Sequence, residues 1–281
     1  MSTDGRGPQK SACFPCHLRI GGMSAARILL WLAAITIVSF AIGFGLLALS
    51  GGFPPSPDQG FSPFRHTALL VPNTTSIPLD GASAGDLQIT LGAGELSVQG
   101  GAPDAMLIET TVFSQSPVWQ PDLVQIVNNS RKSVTITDKG HKGKALFAVD
   151  SPNSWEIRIS DNVPVRLDVN VGGGDSQLNL GTLNLETISV HTGAGDTTID
   201  LGGYRGGRFD AAIKNGVGDL TLRIPGSSNT RILVHQGIGD ITADGFVQHE
   251  GTYVTPGFNS SLAVNEITLN QGVGSLSLEI I

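Results

Sequence analysis

The feature that most constrains this chain is a glycine-paired break that recurs inside alternating apolar sequence. Breaks stand at Gly92-Ala93-Gly94-Glu95, Gly172-Gly173-Gly174-Asp175, Gly193-Ala194-Gly195-Asp196, Gly216-Val217-Gly218-Asp219, Gly237-Ile238-Gly239-Asp240 and Gly272-Val273-Gly274-Ser275. The four central ones follow one another at 21, 23 and 21 residues. A period of that size is the mark of stacked structural repeats. Taking the residue between the glycines as zero, positions −6, −4 and −2 share one face and +3, +5 and +7 share one face. Around Val217 these are Ala211, Ile213 and Asn215, then Leu220, Leu222 and Ile224. Strands alternate with period two, so the frame slips by one residue at each break and sets Val217 and Leu220 on the same side. A bulge or corner makes such a slip, and glycine supplies its backbone angles.

Each unit therefore reads as two short strands bent at a corner, with one face turned inward. One unit cannot bury that face, whereas a stack can. The expected fold is all-β: a β-solenoid, or a closely related coiled β-sandwich, with a turn of about 22 residues rising about 4.8 Å. The 37 glycines and 6% aromatics suit such a narrow core. Between Gly100 and Val165 the glycines vanish, and the gap has room for three or four coils without the motif. Strand candidates there are 105–113, 123–127, 133–137, 145–149 and 155–159.

Upstream, the organisation changes. Residues 1–27 form a basic tail, with Arg6, Lys10, Arg19 and Arg27 against Asp4. Residues 28–49 are apolar and uncharged, long enough to span a bilayer as one helix. The basic flank keeps the N-terminus cytoplasmic. The run exceeds the usual core of a cleaved signal, so an uncleaved anchor is the better reading. Residues 50–79, rich in Pro, Gly and Ser, read as a spacer, leaving 80–281 as an extracytoplasmic domain. Localisation is thus to the cell membrane, single-pass. Cys13-Phe14-Pro15-Cys16-His17 has haem-attachment spacing but falls on the cytoplasmic side, and a start at Met23 would remove it; the match reads as incidental.

The whole chain carries −7, of which the first 27 residues contribute +3 and the rest −10. An acidic repeat domain lacks the basic footprint that phosphate contacts need, so nucleic acid is excluded as a partner. One basic cluster stands out: Arg131, Lys132, Lys139, His141, Lys142 and Lys144. Its plain reading is a solvated hairpin loop; its functional reading is contact with anionic lipid headgroups or an anionic envelope polymer.

The corner acids Asp175, Asp196, Asp219 and Asp240 form one column if the coils stack in sequence order. Unit charges about 4.8 Å apart repel by about 0.9 kcal/mol in water, bearable where each carboxylate accepts backbone N–H groups. The alternative is a row of weak Ca²⁺ sites, although the tandem Gly-Gly-x-Gly-x-Asp repeat is not reproduced. Gly81-Ala82-Ser83-Ala84-Gly85 matches a hydrolase nucleophile elbow, which needs a strand-to-helix turn; here strand follows, so no catalytic residue is assigned. No cofactor is expected. The chain stops inside its last strand, which suggests that Ala243–Ser261 or a partner covers that end, with self-association through the C-terminal coil.

From Trp155 to Tyr204 the pattern resembles the toast-rack domain of adhesin-like β-repeat and LiaF-like bacterial envelope proteins. The residues carrying the likeness are the Trp155 strand, Val163-Pro164-Val165, the Gly-x-Gly-Asp corners and the Leu178–Leu180 and Leu183–Leu185 pairs. It extends more weakly over about 79–281. The resemblance implies a membrane-tethered bacterial protein linked to envelope-stress signalling or adhesion, with no catalytic residues. LiaF-like proteins have several membrane helices where this chain has one apolar run. The expected function is a binding or scaffold module, its partner a membrane signalling protein. The alternatives are an adhesin-like glycan-binding module and, third, a polysaccharide-acting enzyme.

Overall fold

The computed structural model describes residues 71–114, 121–138, 153–204 and 207–281, all within one compact unit that begins at Thr67. The tail, the apolar run and spacer residues 50–70 lie outside the described residues, as do Lys139, His141, Lys142, Lys144 and the strand candidate 145–149. Among the described residues every regular element is a strand, and no helix there is long and apolar enough to cross a membrane.

In chain order, β1 (Val71–Pro78) precedes the first glycine unit, β2 (Ala84–Ala93) and β3 (Glu95–Gly100). Strands without the motif follow: β4 (Met106–Ser114), β5 (Asp122–Asn128), β6 (Arg131–Thr137) and β7 (Ser154–Ile159). Three glycine units come next: β8 (Pro164–Gly173) with β9 (Ser176–Asn179), β10 (Asn184–Ala194) with β11 (Thr197–Asp200), and β12 (Asp210–Val217) with β13 (Leu220–Ile224). The fifth unit is β14 (Thr230–Ile238) and β15 (Ile241–Asp244). A short hairpin, β16 (Val247–His249) and β17 (Thr252–Val254), separates it from the sixth, β18 (Asn265–Val273) and β19 (Leu276–Ile280).

Two sheets result. The first runs β1-β4-β7-β3-β9-β11-β13-β19-β15 and the second β16-β17-β14-β18-β12-β10-β8-β2-β6-β5. Every glycine unit puts its first strand in the second sheet and its second strand in the first, so the corner carries the chain between sheets. Equivalent positions pair from coil to coil. At −4, Ile89, Val169, Val190, Ile213, Leu269 and Val234 follow one another across the second sheet. At +5, Val98, Leu178, Ile199, Leu222, Leu278 and Ala243 do so across the first. These rows face each other and form the core, with Ile89, Val169, Leu178, Ile199, Leu222 and Leu269 fully buried. Each such side chain contributes roughly 1.5–3 kcal/mol of transfer free energy.

Both glycines of the break have a structural cause. At Gly174 φ is +118°, and a Cβ there would lie 1.9 Å from the carbonyl oxygen of Gly94 one coil away. At Gly172 a Cβ would come within 2.4 Å of the Gly92 carbonyl oxygen. The coils are thus packed backbone on backbone along two glycine columns.

Four expectations need correction. The corner residue at zero is outside the core: Val217, Val273 and Ile238 are largely exposed while Leu220 is fully buried, because the corner turns the zero side chain away before the second strand begins. The inward rows keep their parity slip. Secondly, among the described residues the region between Gly100 and Val165 adds one parallel layer, β6 on β2 and β7 on β3, rather than three or four. Its other described strands, β5 and β4, pair antiparallel at the outer end, where β1 joins β4. Thirdly, β1 occupies residues read as spacer. Its β-branched Thr74, Thr75 and Ile77 suit a strand, and its prolines are tolerated because β1 is an edge.

Fourthly, the last two coils are exchanged in space. β18 pairs with both β12 and β14, and β19 with both β13 and β15. The final strand is therefore interior, and β15 rather than β19 stands at that edge of the first sheet. Part of the 243–261 segment instead forms β16 and β17, which lie antiparallel against β14 and cover that edge of the second sheet.

Candidate binding groove

Outside the second sheet, the −1 glycines leave a trough. Gly92, Gly172, Gly193, Gly216, Gly272 and Gly237 lie in successive coils and form its floor, in a hollow of about 1110 Å³. Beside the floor stands the −3 row: Thr90, Asn170, His191, Lys214, Asn270 and His235, each opposite the next. Strand spacing sets these groups about 4.8 Å apart. His191 Nδ1 is 3.2 Å from Asn170 Oδ1, and Asn170 Nδ2 donates to Asp168 Oδ1 at 2.8 Å. The side chains lining the trough include Lys214, His191 and His235 and no carboxylate. A second hollow of about 710 Å³ lies on the same face and carries Asp86, Arg166, Asp168, Arg208, Asp210 and Glu266.

Under the trough the later coils replace apolar −2 residues with amides. Asn215 Nδ2 donates to the Gly218 carbonyl at 3.0 Å and to Gln271 Oε1 at 3.1 Å, and Gln271 Nε2 donates to the same carbonyl at 2.6 Å. These bonds satisfy corner carbonyl groups from the inside and fix the bend on which the floor rests.

The expected basic patch is divided. Lys132 is buried, its Nζ donating to the Pro78 carbonyl at 2.7 Å and to Asp80 Oδ2 at 2.6 Å. Arg131 bridges Asp86 Oδ1 at 2.8 Å and both oxygens of Glu186 at 2.9 and 3.0 Å. Glu186 reaches it because the pairing of β10 with β8 shifts register between Leu185 and Thr187, and a bulge re-aims the extra residue. Arg166 Nε completes the network at 2.8 Å from Glu186 Oε2. Burial opposes the charge on Arg131, yet its bonds to Glu186 and Asp86 outweigh it and leave its pKa raised. Burial likewise opposes the Glu186 carboxylate, but Arg131 and then Arg166 hold its pKa below the ordinary value. Both described basic residues thus hold the stack together.

The corner acids bond as their structural reading expects. Asp175 Oδ1 accepts from the Asp196 amide at 3.1 Å, and Asp196 Oδ1 from the Asp219 amide at 2.9 Å. Asp219 Oδ1 then accepts from the Ser275 amide at 2.8 Å, so the exchanged coil interrupts the column and Asp240 stands beyond Ser275. The carboxylates of Asp175, Asp196 and Asp219 each tie one coil to the next. Among the described residues no three His, Cys, Asp or Glu side chains converge as metal ligands. Ser83 of the elbow-like motif precedes strand β2, and its Oγ donates to the Ser130 carbonyl at 3.4 Å.

The stacked corners and their floor of glycines can be set beside known proteins. Residues 70–223 match the family described as the N-terminal domain of toast_rack, DUF2154. The chain belongs to the toast-rack family. A solved structure of a candidate cell adhesion protein from Clostridium sporogenes is similar to it, with 21% identity and a TM-score of 0.70, over 75% of this chain and all of that one. At that identity the likeness is one of fold. A candidate adhesin from Bacteroides fragilis aligns over 78% of this chain and all of its own at 12% identity, with a TM-score of 0.29, too low to carry argument. No curated protein matches the chain. The match places the coils up to β13 within the toast-rack domain, while β14 to β19 continue the same stack beyond it.

The trough itself was not anticipated from the sequence. Its signal was present: glycine at −1 in every copy, with a polar residue or threonine at −3.

Proposed function

We propose that the toast-rack unit is a non-enzymatic binding module of the bacterial cell envelope, displayed outside the cytoplasmic membrane on the apolar segment 28–49. The observation that carries this reading is the trough: one glycine and one polar side chain per coil, repeated along a parallel sheet. Such a surface presents similar groups at a fixed interval, which suits holding an extended partner along several coils. Catalysis instead concentrates an acid and a base on one bond. The family supports a tethered envelope protein, and the solved neighbours' names favour attachment over turnover.

The test is obstruction. Asn270→Trp would place an indole in the middle of the trough, between Lys214 and His235. The full chain is expected to bind isolated envelope fragments, and Asn270→Trp to abolish that binding while the circular dichroism spectrum stays unchanged. Undiminished binding by a folded Asn270→Trp protein would sink the trough as the binding surface. Crosslinking from the same residue to a membrane sensor protein would instead support the signalling role.

A further inference from the structure

We infer that the trough binds a linear acidic glycan whose sugar rings carry carboxylates. This rests on the trough being the binding surface and adds the chemistry of its occupant. The domain beyond residue 27 has an excess of ten acidic charges, and its corner column is built of carboxylates. Against that background the trough lining holds Lys214, His191 and His235 with no Asp or Glu. Acids adjoin it at Asp138, whose Oδ2 lies 3.2 Å from where a Gly92 Cβ would be, and at Asp168, whose Oδ1 accepts from Asn170. Between Asn170 and His235 the described lining carries a lysine and no carboxylate, and a groove of that kind in an acidic protein focuses attraction on an anionic ligand.

The spacing fits. His191 and Lys214 are neighbours across one strand, and Lys214 and His235 are separated by the strand carrying Asn270. Donor groups therefore fall about 4.8 and about 9.6 Å apart, one and two strand intervals. In a chain that turns half-way round at each ring, carboxylates return to the same side every second ring, which matches the two-strand separation of Lys214 and His235. The glycine floor offers CH and peptide surface without side chains, level enough for the flat face of a sugar ring. The amide of Asn270, between Lys214 and His235, supplies a partner for sugar hydroxyl groups.

The experiment compares polymers that differ in the presence or the kind of their charge. Polygalacturonate, the same polymer fully methyl-esterified, and a poly(glycerol phosphate) are titrated against the full chain, with the wild type, Lys214→Glu and Asn270→Trp side by side. Polygalacturonate is expected to bind and to weaken as salt is raised through the range where the Debye length falls below about 10 Å. The ester should bind far more weakly. Lys214→Glu should reduce polygalacturonate affinity about tenfold, as reversal of one exposed charge allows, and Asn270→Trp should abolish it. Equal binding of ester and acid, with Lys214→Glu silent and Asn270→Trp still blocking, overturns the acidic glycan and leaves the trough standing. Binding only to the phosphate polymer overturns the carboxylate. Polygalacturonate binding that survives Asn270→Trp but is lost on neutralising Lys139, Lys142 and Lys144 moves the site and overturns the inference. If none of the three polymers binds, the inference fails, and binding of envelope fragments decides the trough separately.

Discussion

The interior coils and the two ends of the stack are built by different rules. Inside, from β2/β3 to β18/β19, strands are parallel, corners are glycine pairs, and equivalent residues meet in rows. At one end the motif is missing and pairing turns antiparallel, with β4, β1 and β5; at the other the second sheet ends in antiparallel β17 and β16, while the first ends on β15, a motif strand with a parallel neighbour on one side. The interior row at +5 is fully buried at Leu222, whereas the outermost strand leaves Ile241 39% exposed. β5 leaves Val124, Ile126 and Val127 exposed as well. A repeat needs an identical neighbour on each side, so its rules hold only where both neighbours exist.

That contrast can be broken most severely at a corner. Gly174→Ala combines a φ of +118° with a Cβ 1.9 Å from the Gly94 carbonyl oxygen. Gly101, at φ +84°, has open space where its Cβ would be. Urea unfolding should show a loss of about 3 kcal/mol or more for Gly174→Ala and about 1 kcal/mol for Gly101→Ala. Equal losses would mean that backbone packing between coils is not what the glycines serve. In the next tier, Leu222→Ala should cost about 2–5 kcal/mol. Ile241→Ala, at the exposed end, should cost no more than about 1 kcal/mol by the area it removes from contact. A reversed order would place the stability of the stack at its rim.

The smallest expected effect is acid sensitivity at the Arg131 network. The folded pKa of Glu186 lies below its ordinary value, so its contribution is present above the unfolded carboxylate value of about 4.3. It is lost as pH falls through the folded value, where the unfolded chain already binds the proton. Glu186→Gln should be less stable than the wild type near neutrality, and the difference should shrink on acidification. A difference that grows toward low pH would contradict the sign of the shift.

Much of the interior was legible because its constraint is local. Leu220, Leu222 and Ile224 keep period two after the bend, and a glycine pair announces the bend itself. The strands near Ile108, Leu123, Val134 and Ile157 were legible for the same reason, and the structure gives them as β4, β5, β6 and β7. What escaped is what period and parity do not encode. Every coil shares one frame, so register cannot say which coil lies beside which. The clue was the distance from Ile238 to Val273, 35 residues where the four central units use 21 or 23. Burial of Lys132 was hidden because a charge run reads as a solvated loop until the Pro78 carbonyl and Asp80 are brought to it. The trough was missed because it consists of atoms that are not there.

The exchanged order of the last two coils has a temporal meaning. Thr230–Asp244 emerges from the ribosome before its parallel partners β18 and β19 have been made. Until Asn265–Ile280 slides between them, Asp219 lacks the Ser275 amide and the Gly218 carbonyl lacks Gln271. Synthesis thus closes this end by wedging rather than by winding. Nascent chains halted before Asn265 should accordingly yield to protease throughout 230–254 while the earlier coils resist.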